Sequence, residues 1–312
     1  MKPAVSLVFA SLVVFSTAAA AVDPDPARLK LASGNVLVLD AAADRQIYAK
    51  AADEVTPIAS VTKLMTAMVV LDAQQPLDEA LDIDTTDYDY LKHSSSRLRA
   101  GTTLSRREML RLALMSSENR AAASLARHYP GGTQSFVTAM NFKALSLGLT
   151  HTHYSDPTGL SPANVSTASD LAKLVQTAAD YPLIREFTTT PSYLVETDSG
   201  RTLGFNNSNA LVKKSDWDIT LQKTGYIREA GKCVVMMVNI ASKPFVIVLL
   251  DSLGKYTRIA DAQRVKYWLE TGESLALTPV KAARAVKARA AHVGQRVHGT
   301  LHPRIVKTAQ KR

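Results

Sequence analysis

Three short runs follow one another along the chain: Ser60-Val-Thr-Lys63, Ser117-Glu-Asn119 and Lys223-Thr-Gly225. The first pairs a hydroxyl with an amine. A serine alcohol becomes a useful nucleophile only when a neighbouring base takes its proton, and an amine serves as that base once burial or a second cation lowers its pKa. The second run offers another hydroxyl to carry a proton and an amide able both to donate and to accept. The third sets an ammonium, a hydroxyl and a glycine together, which suits capture of a carboxylate beside a closely approaching backbone. Singly, such runs are commonplace, because Ser near Lys is an ordinary surface pairing and Ser, Asn and Gly are ordinary turn residues. In this order, each in a plausible structural setting, they supply most of a serine acyl-transfer centre.

These side chains need elements to position them. Pro57 ends an extended stretch, and Leu64, Met65, Ala67, Met68, Val69 and Leu71 read as a buried helix that opens at Ser60. Three-residue spacing puts Ser60 and Lys63 on one helix face, and the positive end of the helix favours negative charge at Ser60. Ser60 is therefore the candidate nucleophile and Lys63 the candidate base, with Lys223 as the second cation; a simple capping role for Ser60 is the plainer alternative. Ser117 and Asn119 fall between two helical runs, Leu110 to Met115 and Ala121 to Tyr129, where short polar side chains project into a cleft and Glu118 points elsewhere. Ser117 would relay a proton to the leaving amine, and Asn119 would bind a peptide-like substrate. Alternation from Ile219 to Tyr226 suggests an edge strand, followed by antiparallel neighbours from Cys233 to Ile240 and from Pro244 to Leu250. On that strand Lys223 and Thr224 would bind a carboxylate and Gly225 would leave room for substrate. The backbone N–H groups of Ser60 and Tyr226 would form an oxyanion hole.

The three runs resemble those shared by penicillin-binding proteins and serine β-lactamases. Longer stretches narrow the likeness: PIASVTKLMTAMVVLDA, LALMSSENRAAASLA, HYPGG, LQKTGY, and the segment from Asp156-Pro-Thr-Gly-Leu160 to Ser166-Thr-Ala168. They are similar to the low-molecular-mass D-alanyl-D-alanine peptidases, most closely the endopeptidases of the penicillin-binding protein seven type, from about Leu31 to Gly272. The resemblance implies an α/β (α+β) fold of antiparallel sheet flanked by helices with a helical subdomain. It also implies D-alanyl peptide cross-links of peptidoglycan as substrate and covalent inhibition by β-lactams. Endopeptidase and carboxypeptidase differ in leaving group, a cross-linking diamino acid or a terminal D-Ala, and share every residue named above. A serine β-lactamase is the next alternative, but Asp156 to Leu160 does not resemble the E-x-x-L-N loop that positions a deacylating water in the class A enzymes. A catalytically silent wall-binding protein would have no need to keep Ser60, Lys63 and Lys223.

Composition fits one exported enzyme. The chain has 312 residues, 46% hydrophobic, enough for a substantial core with mixed helix and strand patterning and no internal repeat. Residues 1–21 read as an export signal, with Lys2, an apolar core from Val5 to Phe15 and an Ala18 to Ala21 cleavage region, which points to the periplasm. The catalytic domain is expected over residues 22–275. From Leu275 onward there is no acid, and nine Lys and Arg residues equal the whole net charge of +9. Residues 276–312 thus read as a solvated basic tail, with loose contact to anionic membrane or cell wall as the sharper reading. Nucleic acid is a poor partner, since the tail lacks aromatics for base stacking. The single cysteine, Cys233, reads as a core residue. His151 and His153 have no companions in a metal-ligand pattern, and no cofactor is expected.

Overall fold

The computed structural model describes residues 24–198, 200–254 and 256–277. The export segment and nearly all of the basic tail lie outside the described residues. Strands β1 (Asn35–Asp40) and β2 (Arg45–Lys50) form a hairpin, and β3 (Thr56–Pro57) leads through a 3-10 turn, Ala59–Thr62, into α1 (Lys63–Asp72). Strands β4 (Ala80–Asp82) and β5 (Thr103–Ser105) pair ahead of α2 (Arg106–Met115), α3 (Asn119–Arg127) and α4 (Gly132–Ser146). Strand β6 (Val165–Ser166) pairs with β3 and is followed by α5 (Ala168–Ala178), α6 (Pro182–Thr189) and the hairpin of β7 (Ser192–Glu196) and β8 (Thr202–Asn206). Strands β9 (Asp218–Ile227), β10 (Gly231–Ile240) and β11 (Lys243–Ser252) precede α7 (Thr257–Thr271).

Five strands make one antiparallel sheet in the order β2-β1-β11-β10-β9, so β9 stands at an edge as its sequence suggests. Successive side chains on a strand point to opposite faces. Val36, Val38, Val234, Met236, Ile247 and Leu249 pack with Val265 and Trp268 of α7. Their neighbours Leu37, Leu39, Val235, Val246, Val248 and Leu250 join the core that includes Met65, Met68, Leu171 and Val175. Each fully buried Val or Leu contributes about 1.5–3 kcal/mol, and both faces here are filled this way. That is why NVLVL and CVVMMV read as continuous apolar runs rather than alternating ones. The result is a three-layer arrangement with α7 on one face of the sheet and the other helices on the opposite face.

The cleft forms where three parts converge. The turn before α1 lies against β9, and the α2–α3 junction faces the same strand. Helix α2 starts at a capping box in which Ser105 and Glu108 satisfy each other's backbone N–H groups. Its end is fixed by Ser208, whose backbone N–H donates to the Met115 carbonyl at 2.8 Å.

Candidate active site

Ser60 lies within the 3-10 turn that precedes α1, and Ile58 and Thr62 occupy the cap positions, so its hydroxyl is not used as a cap. Ala59 bends the chain there with φ 48°, a left-handed conformation that costs a non-glycine residue about 1–2 kcal/mol. Surrounding bonds hold the bend in place. Thr62 Oγ1 donates to the Ala59 carbonyl at 2.7 Å, and the buried Asn164 amide donates to Thr62 Oγ1 at 3.0 Å.

Lys63 opens α1 and is fully buried. Its Nζ donates to Ser60 Oγ at 3.0 Å, to Asn119 Oδ1 at 2.7 Å and to the Thr158 carbonyl at 2.6 Å. Burial lowers its pKa to about 8, opposed by the negative charges of Asp156, Glu118 and Asp89. A substantial neutral fraction near pH 8 makes it a competent proton acceptor for Ser60.

Lys223, on β9 opposite Val235, is also fully buried. Its Nζ donates to Ser117 Oγ at 2.8 Å and to the Thr224 carbonyl at 2.9 Å. The sequence suggests Lys223 as the cation that depresses Lys63; the structure reverses the emphasis. Lys63 is depressed by burial with carboxylates within reach, whereas Lys223 lies well below its ordinary value through burial, then Lys63, then Arg258. Both charges that act on it are positive, so an anion placed beside it would favour its ammonium form. Beside it the Thr224 and Ser208 hydroxyls lie 2.7 Å apart. Gly225 differs from expectation, because a Cβ there would meet the Ile58 carbonyl at 2.9 Å and Ser60 N at 3.1 Å. The space it leaves is taken by the Ser60 turn. Tyr226 presents an exposed side chain with Lys232 Nζ 3.9 Å over the ring.

Ser117 and Asn119 sit at the α2–α3 junction as expected, Ser117 with φ 62° and Asn119 as the first residue of α3. Asn119 does more than face substrate: its Oδ1 accepts from Lys63, and its Nδ2 donates to Ser94 Oγ at 2.9 Å. Ser117 is bonded to Lys223, while the Lys63 ammonium spends its donors on Ser60, Asn119 and Thr158. Glu118 does point elsewhere. It caps α3 by accepting from Arg120 N at 3.3 Å, is 8% exposed, and lines a cavity of about 480 Å³ with Ser95, Ser96, Arg97, Ser116, Phe205 and Asn206. Burial raises its pKa.

A fourth wall, Asp156 to Leu160, was legible as a motif but not as part of the site. Thr158 places its carbonyl on both Lys63 and Ser60, the latter at 3.4 Å. Asp156 folds the loop by accepting from Thr158 N at 2.6 Å, Gly159 N at 2.8 Å and Ser161 N at 2.9 Å. Gly159 has φ 81°, and a Cβ on it would overlap the Ala59 carbonyl. Asn164, fully buried, ties this loop to the Ser60 turn, accepting from Ser155 N and Asp156 N and donating to Thr62 Oγ1 and the Asp156 carbonyl. On the opposite side, Arg258 Nη1 donates to the Gly225 carbonyl at 3.0 Å and the Cys233 carbonyl at 3.1 Å, and its Nε is buried without a partner. Nothing local in the sequence marks Asn164 or Arg258, because their partners lie on other elements.

Cys233 is buried on β10 opposite Gly225, and burial pushes its thiol up to about 12, which fits a core residue. His153 pairs with Val165 through the backbone. Among the described residues no group of three His, Cys, Asp or Glu side chains is placed to hold a metal, and no helix is long and apolar enough to cross a membrane.

Comparison with known proteins agrees with this geometry. The D-alanyl-D-alanine carboxypeptidase (peptidase S11) family profile matches residues 18–254. A D-alanyl-D-alanine endopeptidase of Pseudomonas aeruginosa is 48% identical over 294 residues, spanning 93% of this chain and 95% of that protein. One from Escherichia coli is 49% identical over 276 residues, spanning 88% and 87%. Among solved structures, the Streptomyces K15 DD-transpeptidase superposes with a TM-score of 0.72 at 28% identity, covering 78% of this chain and 98% of that one. With its sequence matched over this length and its fold shared, the chain belongs to the D-alanyl-D-alanine carboxypeptidase family of serine peptidases.

Proposed function

We propose that this protein is an exported serine D,D-endopeptidase that hydrolyses D-alanyl cross-links in peptidoglycan through an acyl-enzyme on Ser60. The observation that carries the mechanism is the 3.0 Å bond between Ser60 Oγ and a buried Lys63 whose pKa is lowered to about 8. Ser60 Oγ attacks the D-alanyl carbonyl and its proton passes to neutral Lys63 Nζ, while the backbone N–H groups of Ser60 and Tyr226 receive the developing oxyanion. The C–N bond then breaks. Ser117 and Lys63 return a proton to the departing amine, and Lys223 supports the Ser117 hydroxyl in that role. Water attacks the ester as Lys63 accepts its proton, the C–O bond to Ser60 breaks, and Lys63 returns that proton to Ser60 Oγ.

Lys223 and Thr224 anchor the carboxylate of the leaving residue, a group that would restore the ammonium burial has disfavoured at Lys223. Asn119 holds the substrate amide and orients Lys63 through the 2.7 Å bond between them. The endopeptidase assignment rests on the names of the two relatives, each nearly half identical over most of this chain. β-Lactams would acylate the same serine. Residues 1–21 act as the export signal to the periplasm, 22–275 form the catalytic unit, and the basic tail from 276 makes loose contact with anionic membrane or wall.

Digestion of purified cross-linked muropeptides followed by mass analysis tests the reading. Monomeric stems released by the native protein and not by Ser60→Ala, with a penicillin adduct mapped to the Ser60 peptide, are expected. Release of terminal D-Ala with cross-links intact would make it a carboxypeptidase, and rapid antibiotic turnover a β-lactamase. An adduct on Ser117 would overturn the nucleophile.

A further inference from the structure

We infer that the ion pair between Lys92 and Glu229 straps the cleft at its Tyr226 end and parts when a stem peptide lies along β9, so that these two residues set the selectivity between extended peptides and compounds without an acyl chain. This rests on the serine D,D-peptidase reading above and adds a determinant that the catalytic residues do not supply.

The direction in which substrate runs follows from the two positions proposed for it on β9. With the carboxylate of the leaving residue at Lys223 and Thr224 and the reacting carbonyl at the backbone N–H of Tyr226, the acyl side continues towards Ile227, where β9 ends, and the turn at 228–230. β9 is an edge strand, whose free side an extended peptide can follow. Glu229 stands in that turn, only three residues beyond Tyr226. At about 3.3 Å per extended residue this is at most about 10 Å. A D-alanyl residue with a stem peptide behind it spans that distance.

What the stem meets there comes from the opposite wall. Asn119, whose Oδ1 accepts from Lys63, donates through Nδ2 to Ser94 Oγ at 2.9 Å and so fixes one end of a short loop beside the catalytic groups. Asp89 fixes the other end, accepting from Leu91 N at 2.9 Å, Lys92 N at 2.8 Å and Ser94 N at 2.9 Å. From this loop Lys92 Nζ reaches Glu229 Oε1 at 2.6 Å, which ties the Asn119 wall of the cleft to the β9 wall. That bond holds the Glu229 carboxyl below its ordinary range. The loop keeps its Asp89 bonds and the turn keeps the pairing of Ile227 with Gly231 whether or not the two charges meet, so the pair can part without unfolding either. Both side chains are partly exposed, and water competes for them. Such a pair biases closed over open by up to about fivefold, enough to select and too little to block.

The test compares native protein with Lys92→Ala, Glu229→Ala and the reversed pair Lys92→Glu/Glu229→Lys. Each is assayed on a purified cross-linked dimer muropeptide and for acylation by 6-aminopenicillanic acid, which has no acyl chain and whose adduct is followed by mass. Either alanine variant should raise kcat/KM for the dimer about two- to fivefold by lowering KM, with kcat and acylation unchanged, and the reversed pair should return to the native value. Raising salt should narrow the gap between native and alanine variants. A lower kcat/KM for the dimer in the alanine variants, an equal change in hydrolysis and acylation, or no change at all would each overturn the strap. Should the reversed pair fail to fold, its adduct is lost and the single variants with the salt series decide. Native protein that releases terminal D-Ala from a pentapeptide stem but leaves the dimer uncut would refute the endopeptidase reading alone, and the same comparison then runs on the pentapeptide, whose acyl side is the same. Native protein that cleaves neither would refute the peptidase reading beneath the proposal, before any variant is made.

Discussion

Ser117 accepts a 2.8 Å hydrogen bond from Lys223, whereas Ser60 accepts its 3.0 Å bond from Lys63. Two buried lysines in one cleft thus serve two different hydroxyls. Lys63→Arg should abolish penicillin acylation, because guanidinium stays protonated and cannot act as a base. Lys223→Arg keeps a cation at the anchor and should mainly weaken substrate recognition, raising KM for muropeptide while labelling persists at high penicillin concentration. Complete loss of labelling in both folded variants would contradict this division.

The pH dependence follows from the same lysine. With neutral Lys63 as the proposed acceptor and its pKa lowered by burial to about 8, the acylation rate should climb with pH and level off above that value. Well below it, the rate should fall about tenfold per pH unit. Glu118 is among the charges that raise the Lys63 pKa. Glu118→Gln should therefore move the acid limb to lower pH, as measured by penicillin acylation across a pH series.

The loop that carries Thr158 should be as sensitive to change as the motifs. Gly159→Ala forces a left-handed alanine into the Ala59 carbonyl and should lower stability by about 2 kcal/mol or more. Asn164→Ala leaves buried partners on both the loop and the Ser60 turn, at a cost of about 1–3 kcal/mol. Thermal melts measure the stability. Penicillin labelling below the melting transition shows whether the Ser60–Lys63 geometry survives in the molecules that remain folded.

The nine cations beyond Leu275 equal the whole formal excess of +9. Deleting residues 276–312 should leave soluble muropeptide hydrolysis nearly unchanged and reduce co-sedimentation with anionic vesicles or sacculi. For the intact protein, that association should weaken steeply as salt rises, since the screening length shrinks from about 10 Å at 0.1 M to about 3 Å at 1 M. Loss of hydrolysis on truncation would place part of the tail in the catalytic unit.

What the sequence disclosed was local. Ser60 and Lys63 are three residues apart, so their contact follows from helical spacing, and the apolar runs of β9, β10 and β11 announce three successive strands. The α2–α3 junction was legible from two helical runs on either side of Ser117. Contacts joining distant elements left no such trace. From the sequence alone Gly225 offers room for substrate, whereas the Ser60 turn, far away in the chain, lies where its Cβ would stand. Likewise Lys223 lies well below its ordinary value first through burial and then through Lys63, with Arg258 of α7 adding the least, a combination set by tertiary packing.

Cys233 gives the molecule an internal clock. It is the only thiol in the chain, lies fully buried opposite Gly225, and has its ionisation pushed up to about 12. Thiolate is the form that reacts with alkylating reagents, so the closed sheet withholds it twice, by access and by charge. Alkylation at neutral pH must then wait for an opening that exposes it, and its rate counts the openings around β10, the neighbour of the strand that carries Lys223 and Thr224. A ligand seated on Lys223 and Thr224 would slow that count from across the sheet, reporting occupancy of the cleft without touching any catalytic group.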